Sequence, residues 1–293
     1  MRRTRSLALV VALVAGTAAC GSSGGSSGGR PTAVAAFFPL AATTRVLAGP
    51  SVAVRDLTPP GVEPHDLELT TDDMDAILDA RLVVLMGKGF QPAIESGADR
   101  RSGPTVRVLD RLGVGDDPHV WLDPVLMRKV VGIVGAALGR ALPAQRAAIP
   151  ARVAALDADL AALDREYRAG LAHCARRTIV TAHAAFAHLA ARYGLEQRAI
   201  AGISPEQEPD PQRIAELSDL VRRDHLTTVF TERLVSPRVA GTLARDAHVK
   251  TAVLDPIESP AHGATFAGYL RSMRSNLAAL RTALGCRSRG PSR

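Results

Sequence analysis

The sequence predicts an α/β protein of two lobes, each a mostly parallel four-stranded sheet with flanking helices, joined by a long rigid helix. Three observations lead there. Short β-branched or apolar runs alternate with longer helical patterns, the alternation occurs in two similar series of four, and one amphipathic stretch separates the series.

In the first series the runs are TAVAAFF (32–38), SVAVRDL (51–57), LVVLM (82–86) and TVRVL (105–109). Helical patterns lie between them, such as TDDMDAILDA (71–80), which Thr71 and Asp72 are expected to cap. The segment DDPHVWLDP (116–124) surrounds His119 and the chain's single tryptophan, Trp121, with prolines and aspartates, the composition of a rigid turn; a helix is expected from about Asp123. In residues 144–173, Val153, Leu156, Leu160, Leu163 and Tyr167 recur at spacings of three and four, so this stretch is an amphipathic helix. Counted from Gln145 it could reach about 45 Å at 1.5 Å per residue, long enough to be a spine between lobes, although an ordinary helix of the second lobe fits the same pattern. Pro150 either kinks it or marks its first turn. The second series is TIVTA (178–182), QRAIAGI (197–203), TTVFT (227–231) and VKTAVL (249–254), with helices near 184–193, 210–222, 236–247 and 262–284. The expected division is therefore a first lobe at 31–143, the linking helix at 144–173, a second lobe at 174–286 and a basic tail at 287–293.

At the amino end, three arginines precede an apolar run from Leu7 to Ala19, too short for a membrane span but suited to the core of a secretory signal over 1–19. Ala18 and Ala19 before Cys20 resemble the lipobox of bacterial lipoproteins, with Thr17 where leucine is usual. Cys20 is thus expected to be acylated and to anchor the chain to the membrane, with the Gly/Ser-rich 20–30 segment as tether. A cleaved, unanchored secreted protein is the alternative. With Cys20 committed to lipid, Cys174 and Cys286 remain as an even pair in an oxidising compartment and are expected to form a disulfide.

The formal net charge of +7 falls to +4 without the signal arginines and to zero over residues 31–286. A basic groove for phosphates is therefore not supported, and ten aromatic residues offer few stacking platforms, so no nucleic-acid partner is expected.

Open parallel sheets bind ligands at the carboxyl ends of their strands. There the sequence places His65 after the second run, His119 after the fourth, His183 at the end of TIVTA, Glu232 at the end of TTVFT and Asp255 at the end of VKTAVL. Facing lobes would bring these five to one cleft. Imidazoles and carboxylates meeting at a point suit a divalent transition metal, four-coordinate zinc or more oxygen-tolerant manganese. Spread over some 190 residues, the set lacks the tight spacing of a zinc finger. His188 lies off the His183 face, and His173, His225, His248 and His262 fall at helix ends or in polar loops.

The motifs PPGVEPHDLEL, DPHVWLDP, TAHAAF followed by YGL, and FTERLVSPRVAGTLARDAHVKTAVLDP resemble, in order, the ligand segments of the metal-binding solute-binding lipoproteins of zinc and manganese ABC importers, over about residues 32–284. The resemblance implies two lobes with a metal held between them by His65, His119, His183 and Asp255, and Glu232 beside the site. It implies an extracytoplasmic, lipid-anchored monomer that captures Zn2+ and passes it to an ABC permease and ATPase, without catalysis because four protein ligands close the shell. Mn2+ or iron is the alternative cargo; the three imidazoles favour zinc, since manganese carriers tend to have glutamate at the position of His183. An exported zinc-dependent hydrolase using Glu232 as base, and a surface adhesin, are rival readings. Two departures stand out: residues 87–116 lack the histidine-rich loop of many zinc carriers, and Ala184 replaces a frequent acidic residue.

Overall fold

The computed structural model describes residues 30–207 and 210–287; the signal segment, Cys20, the tether before Arg30 and the tail after Arg287 lie outside the described residues. Each series of four runs forms one parallel sheet. In the first lobe β1 (Thr32–Ala35), β2 (Ala53–Asp56), β3 (Leu82–Leu85) and β4 (Thr105–Arg107) lie in the order β2-β1-β3-β4. In the second, β5 (Thr178–Thr181), β6 (Glu196–Ala199), β7 (Thr228–Thr231) and β8 (Lys250–Val253) repeat that order as β6-β5-β7-β8. This order places a reversal of winding between β1 and β3, and between β5 and β7, and opens a crevice at the carboxyl ends of the strands.

The strands are shorter than the apolar runs that predict them, because two of the runs continue directly into helices. Phe38 opens α1 (Phe38–Ala48), where Pro39 suits the first turn, and Val108 opens α4 (Val108–Leu112). Between them lie α2 (Thr71–Asp79) and α3 (Pro92–Asp99). The cap of α2 is Thr70, one residue before the expected pair. Its hydroxyl accepts from the Asp73 N–H and the Asp73 carboxylate accepts from the Thr70 N–H, a reciprocal box that Thr71 and Asp72 cannot form at that spacing. Asp123 caps α5 (Pro124–Ala141), accepting from the Val125 N–H at 2.8 Å.

The spine is α6 (Ile149–Leu171), which begins later than the predicted 144 because residues 143–145 form a separate 3-10 turn. Pro150 lies in its first turn, where its missing N–H costs nothing. At 23 residues it is about 35 Å long. It packs on α1 and α5 of the first lobe, and on α7 (Ala187–Tyr193) and α10 (Phe266–Leu284) of the second. Leu156, Leu160, Leu163, Tyr167 and Leu171 form its buried stripe, and the Tyr167 hydroxyl donates to the Met273 carbonyl at 2.6 Å. One apolar core therefore runs unbroken from the first sheet through α5, α6 and α10 to Ile179 and Phe230 of the second. A smaller core lies under α8 (Pro211–Arg223) and α9 (Arg238–Asp246). Among the described residues no helix is long and apolar enough to cross a membrane.

Cys174, just past α6, and Cys286, just past α10, are joined by a disulfide across a sequence separation of 112 residues. It ties the spine to the last helix. In the chain-entropy model a loop of this length restrains the unfolded chain by a few kcal/mol. Replacing both cysteines with serine should lower unfolding stability by about 2–4 kcal/mol, read from urea denaturation, while leaving the circular dichroism of the folded protein unchanged. An unchanged midpoint would mean that the helix contacts alone hold these ends together.

Candidate metal centre

Four loops at the carboxyl ends of the two sheets bring His65, His119, His183 and Glu258 together, two from each lobe. His65 follows β2; its N–H donates to Glu63 Oε1 at 3.2 Å and its ring meets Phe90 edge-on, with centroids 4.6 Å apart. His119 sits in the Asp-Pro turn, where Asp117 Oδ1 accepts from both its backbone N–H (3.0 Å) and its Nδ1 (2.7 Å). His183 lies two residues past β5. Glu232, just past β7, accepts from the His183 backbone N–H at 3.0 Å and from Nδ1 at 2.6 Å. Because β5 and β7 flank the point where the winding reverses, this residue pair arises directly from the strand order.

A carboxylate only accepts, so Asp117 and Glu232 place the ring proton of His119 and of His183 on Nδ1 and turn Nε2 inward as a lone-pair donor. The two Nε2 atoms stand 3.4 Å apart. Glu258 Oε1 lies 3.4 Å from His65 Nε2, 3.5 Å from His119 Nε2 and 3.9 Å from His183 Nε2. All four donor atoms fall within 4.8 Å of one another. Ligands held 2.0–2.1 Å from a central zinc in a tetrahedron are about 3.3–3.4 Å apart, so the spacing suits that ion. His65 Nε2 and both Glu258 oxygens are buried with no hydrogen-bond partner. Buried polar atoms are costly when unpaired, and three converging on one point mark a place for a cation.

Asp255, expected as the fourth ligand, is not in this cluster. Its Oδ1 accepts from the Ile257 N–H at 2.8 Å, and Asn276 clamps its backbone, accepting from the N–H (2.9 Å) and donating to the carbonyl (2.6 Å). The turn so formed holds Ile257 at φ 61, a left-handed conformation costly for a β-branched residue, and buries its side chain completely. That turn redirects the chain and brings Glu258 inward. Asp255 ends its strand as predicted, but its carboxylate accepts within the loop, and the carboxylate that lies in the cluster is that of Glu258. The prolines at 256 and 260 were the available signal that the chain leaves β8 irregularly.

Trp121 is buried against Phe37 (centroids 4.7 Å) and Phe90 (5.6 Å), with its ring 5.1 Å from that of His119. Its indole N–H donates to the Pro256 carbonyl of the other lobe at 2.7 Å, and its own carbonyl accepts from the Tyr269 hydroxyl at 2.6 Å. It is both the dry wall of the site and a fastening between the lobes. His188 stays outside the cluster and meets the Asp117 carbonyl at 3.1 Å, while His225 and His248 end α8 and α9 with φ of 50° and 56°.

Burial opposes charge on His119, yet Asp117 and Glu258 at its two ring nitrogens outweigh it and raise its pKa to about 9. Burial likewise disfavours the Glu258 carboxylate, but His119 and His65 hold it down at about 2. Its oxygens lack hydrogen bonds, so nearness of the imidazoles sustains that charge. Burial, then the charge of Glu258, push Glu63 up to about 8. Burial also raises Asp255 to about 6 against the Ile257 N–H and Arg233.

A stability consequence follows for the metal-free protein. Folded His119 keeps a proton to about pH 9 that the unfolded chain releases near 6.5, and folded Glu63 keeps one to about pH 8 that the unfolded chain releases near 4.5. Between pH 6.5 and 8 the native state therefore binds more protons than the unfolded state, and stability falls as pH rises. Urea midpoints with chelator present should be lower at the upper end of this window than at the lower. An equal or higher midpoint would show that the cluster does not carry these protons.

A family profile described as zinc-uptake complex component A periplasmic, ZnuA, matches residues 33–283, which include the whole cluster. The zinc-binding lipoprotein AdcA of Streptococcus pneumoniae is 32% identical over 278 residues, covering 86% of this chain and 56% of the relative, so the chain spans little more than half that protein's length. The high-affinity zinc uptake system protein ZnuA of Bacillus subtilis is 30% identical, with 97% of this chain and 98% of that one covered. Among solved structures, the Zn(II)-bound ZnuA-like domain of Streptococcus pneumoniae AdcA matches with a TM-score of 0.74 at 34% identity, over 87% of this chain and 99% of that one. With two similarly wound lobes, a donor cluster between them and a profile match over most of its length, this chain belongs to the ZnuA family of periplasmic zinc-uptake components.

Proposed function

We propose that this protein is the extracytoplasmic capture subunit of an ABC importer for zinc. It holds Zn2+ between its lobes with His65, His119, His183 and Glu258 and delivers it to a membrane permease driven by an ATPase. The observation that carries this reading is the donor set itself: three imidazole nitrogens and one carboxylate oxygen, within 4.8 Å of one another, with His65 Nε2 and the Glu258 oxygens lacking any hydrogen-bond partner. The names of the relatives, zinc-binding and zinc uptake, support the same cargo. Three nitrogens and one carboxylate suit zinc better than manganese, which prefers more oxygens, and zinc also stands above manganese in general affinity. Glu232 and Asp117 serve by orienting imidazoles, a contribution that typically changes metal affinity 10–100-fold.

The same reading assigns residues 1–19 to a signal, Cys20 to lipid attachment and the following segment to a tether that keeps a monomeric carrier near its permease. It assigns no catalysis: Glu232 is engaged with His183 at both oxygens and four protein donors fill a tetrahedral shell, leaving no position for an activated water.

Metal analysis of protein purified without chelator, then competition between zinc and manganese at neutral pH, tests the cargo. Zinc is expected to win; equal affinity would move the chain to a manganese carrier, and no binding would remove the proposal. The ligand set is tested by comparing Glu258→Gln with Asp255→Asn. The first should weaken zinc by about 10–100-fold and the second by clearly less, because it alters only the turn. The reverse order would restore Asp255 as the fourth ligand.

A further inference from the structure

Building on the zinc-capture reading, we propose that Glu63 is the transfer ligand of the site, the carboxylate that first takes the incoming ion, passes it to His65, and receives it again on release. No part of the capture function described above requires this residue. Glu63 stands beside His65, the most exposed of the four donors. The His119 and His183 side chains are 0% exposed and Glu258 1%, whereas His65 is 7% and Glu63 15% exposed. An ion that arrives on the His65 side therefore meets Glu63 and His65 before any other donor.

Glu63 Oε1 lies 4.0 Å from His65 Nε2, the buried nitrogen that lacks a hydrogen-bond partner. The same oxygen accepts from the His65 N–H, which holds the carboxylate at the mouth. Its loop is tied to the opposite lobe beside the fourth ligand, since the Gly61 N–H donates to Ser259 Oγ at 2.7 Å.

The chemistry explains why such a residue is useful. A hydrated zinc ion must lose its waters before it can fit among buried imidazoles. The carboxyl group at the boundary gives its proton to solvent and replaces one water while the ion keeps the rest. His65 Nε2 then replaces a second, and the ion moves inward to His119, His183 and Glu258 as the remaining waters leave. Binding is ligand exchange with release of the site's protons, and no oxidation state changes. A group that stabilises the halfway complex speeds entry and exit alike and leaves the two end states almost unaffected.

The test is kinetic. Trp121 is the only tryptophan and its ring lies 5.1 Å from that of His119, so its fluorescence can follow zinc in stopped flow. In Glu63→Gln both zinc association and chelator-driven release should slow by about tenfold, with the dissociation constant changed by less than about threefold. Glu63→Asp keeps a carboxylate and should recover most of the rate. Asp159→Asn, on the exposed face of α6, is the charge control and should behave as wild type. The proposal is overturned by wild-type rates in Glu63→Gln, by faster release at unchanged association (a resident ligand or a support for His65), or by equal slowing in Glu63→Asp. It is equally overturned if the deficit also appears in Asp159→Asn or vanishes near about 1 M salt, since either marks simple electrostatic attraction. Failure of the wild type to bind zinc would instead remove the capture reading on which this one rests.

Discussion

Three imidazole nitrogens and a carboxylate oxygen crowded into one buried point leave polar atoms without hydrogen bonds until a cation arrives, so the rest of the molecule must hold them in place. Two imidazole nitrogens at 3.4 Å, with a carboxylate oxygen 3.5 and 3.9 Å from them, form an arrangement that flexible loops would relax. The restraint is the continuous core. The α6 spine and α10 each touch both lobes, and the Trp121–Pro256 hydrogen bond closes the boundary beside the site. Because protein interiors are close-packed, separating the lobes would expose much of one shared core instead of parting two independent ones.

Around the donors, a second set of groups decides their chemistry. Asp117 and Glu232 each use one carboxylate to grip both the backbone and the ring of a histidine, fixing position and tautomer together. Asp117, together with Glu258, makes His119 strongly basic, so the metal-free site carries protons that an arriving ion must displace. Metal uptake and proton release are thereby coupled within the site, through groups that need not touch the ion.

The loop after β8 shows how a fold can move a clustered carboxylate away from where strand geometry would put it. A strand end normally presents its own side chain to the crevice. Here Asp255 turns that side chain to the Ile257 N–H, Asn276 fixes both of its backbone polar groups, and the left-handed Ile257 bends the chain so that Glu258 reaches the centre. The backbone strain is local and is offset by the complete burial of Ile257.

Patterns set by neighbours in sequence were legible without coordinates. The eight strands follow from short apolar runs, α6 from its three- and four-residue stripe, and the positions of His65, His119 and His183 from their places after strands. The disulfide followed from cysteine number and compartment. These features depend on periodicity, turn chemistry and chain order, which sequence carries directly. Which carboxylate completes the cluster did not, because it depends on a turn whose partner, Asn276, lies 21 residues away on α10. Nor did the role of Trp121 in joining the lobes, since its acceptor is 135 residues distant. Glu63 lay within a quoted motif but stood out only once the burial of its neighbours was known. Tertiary structure decided these matters because hydrogen bonds across lobes and exposure to solvent arise only when distant segments meet.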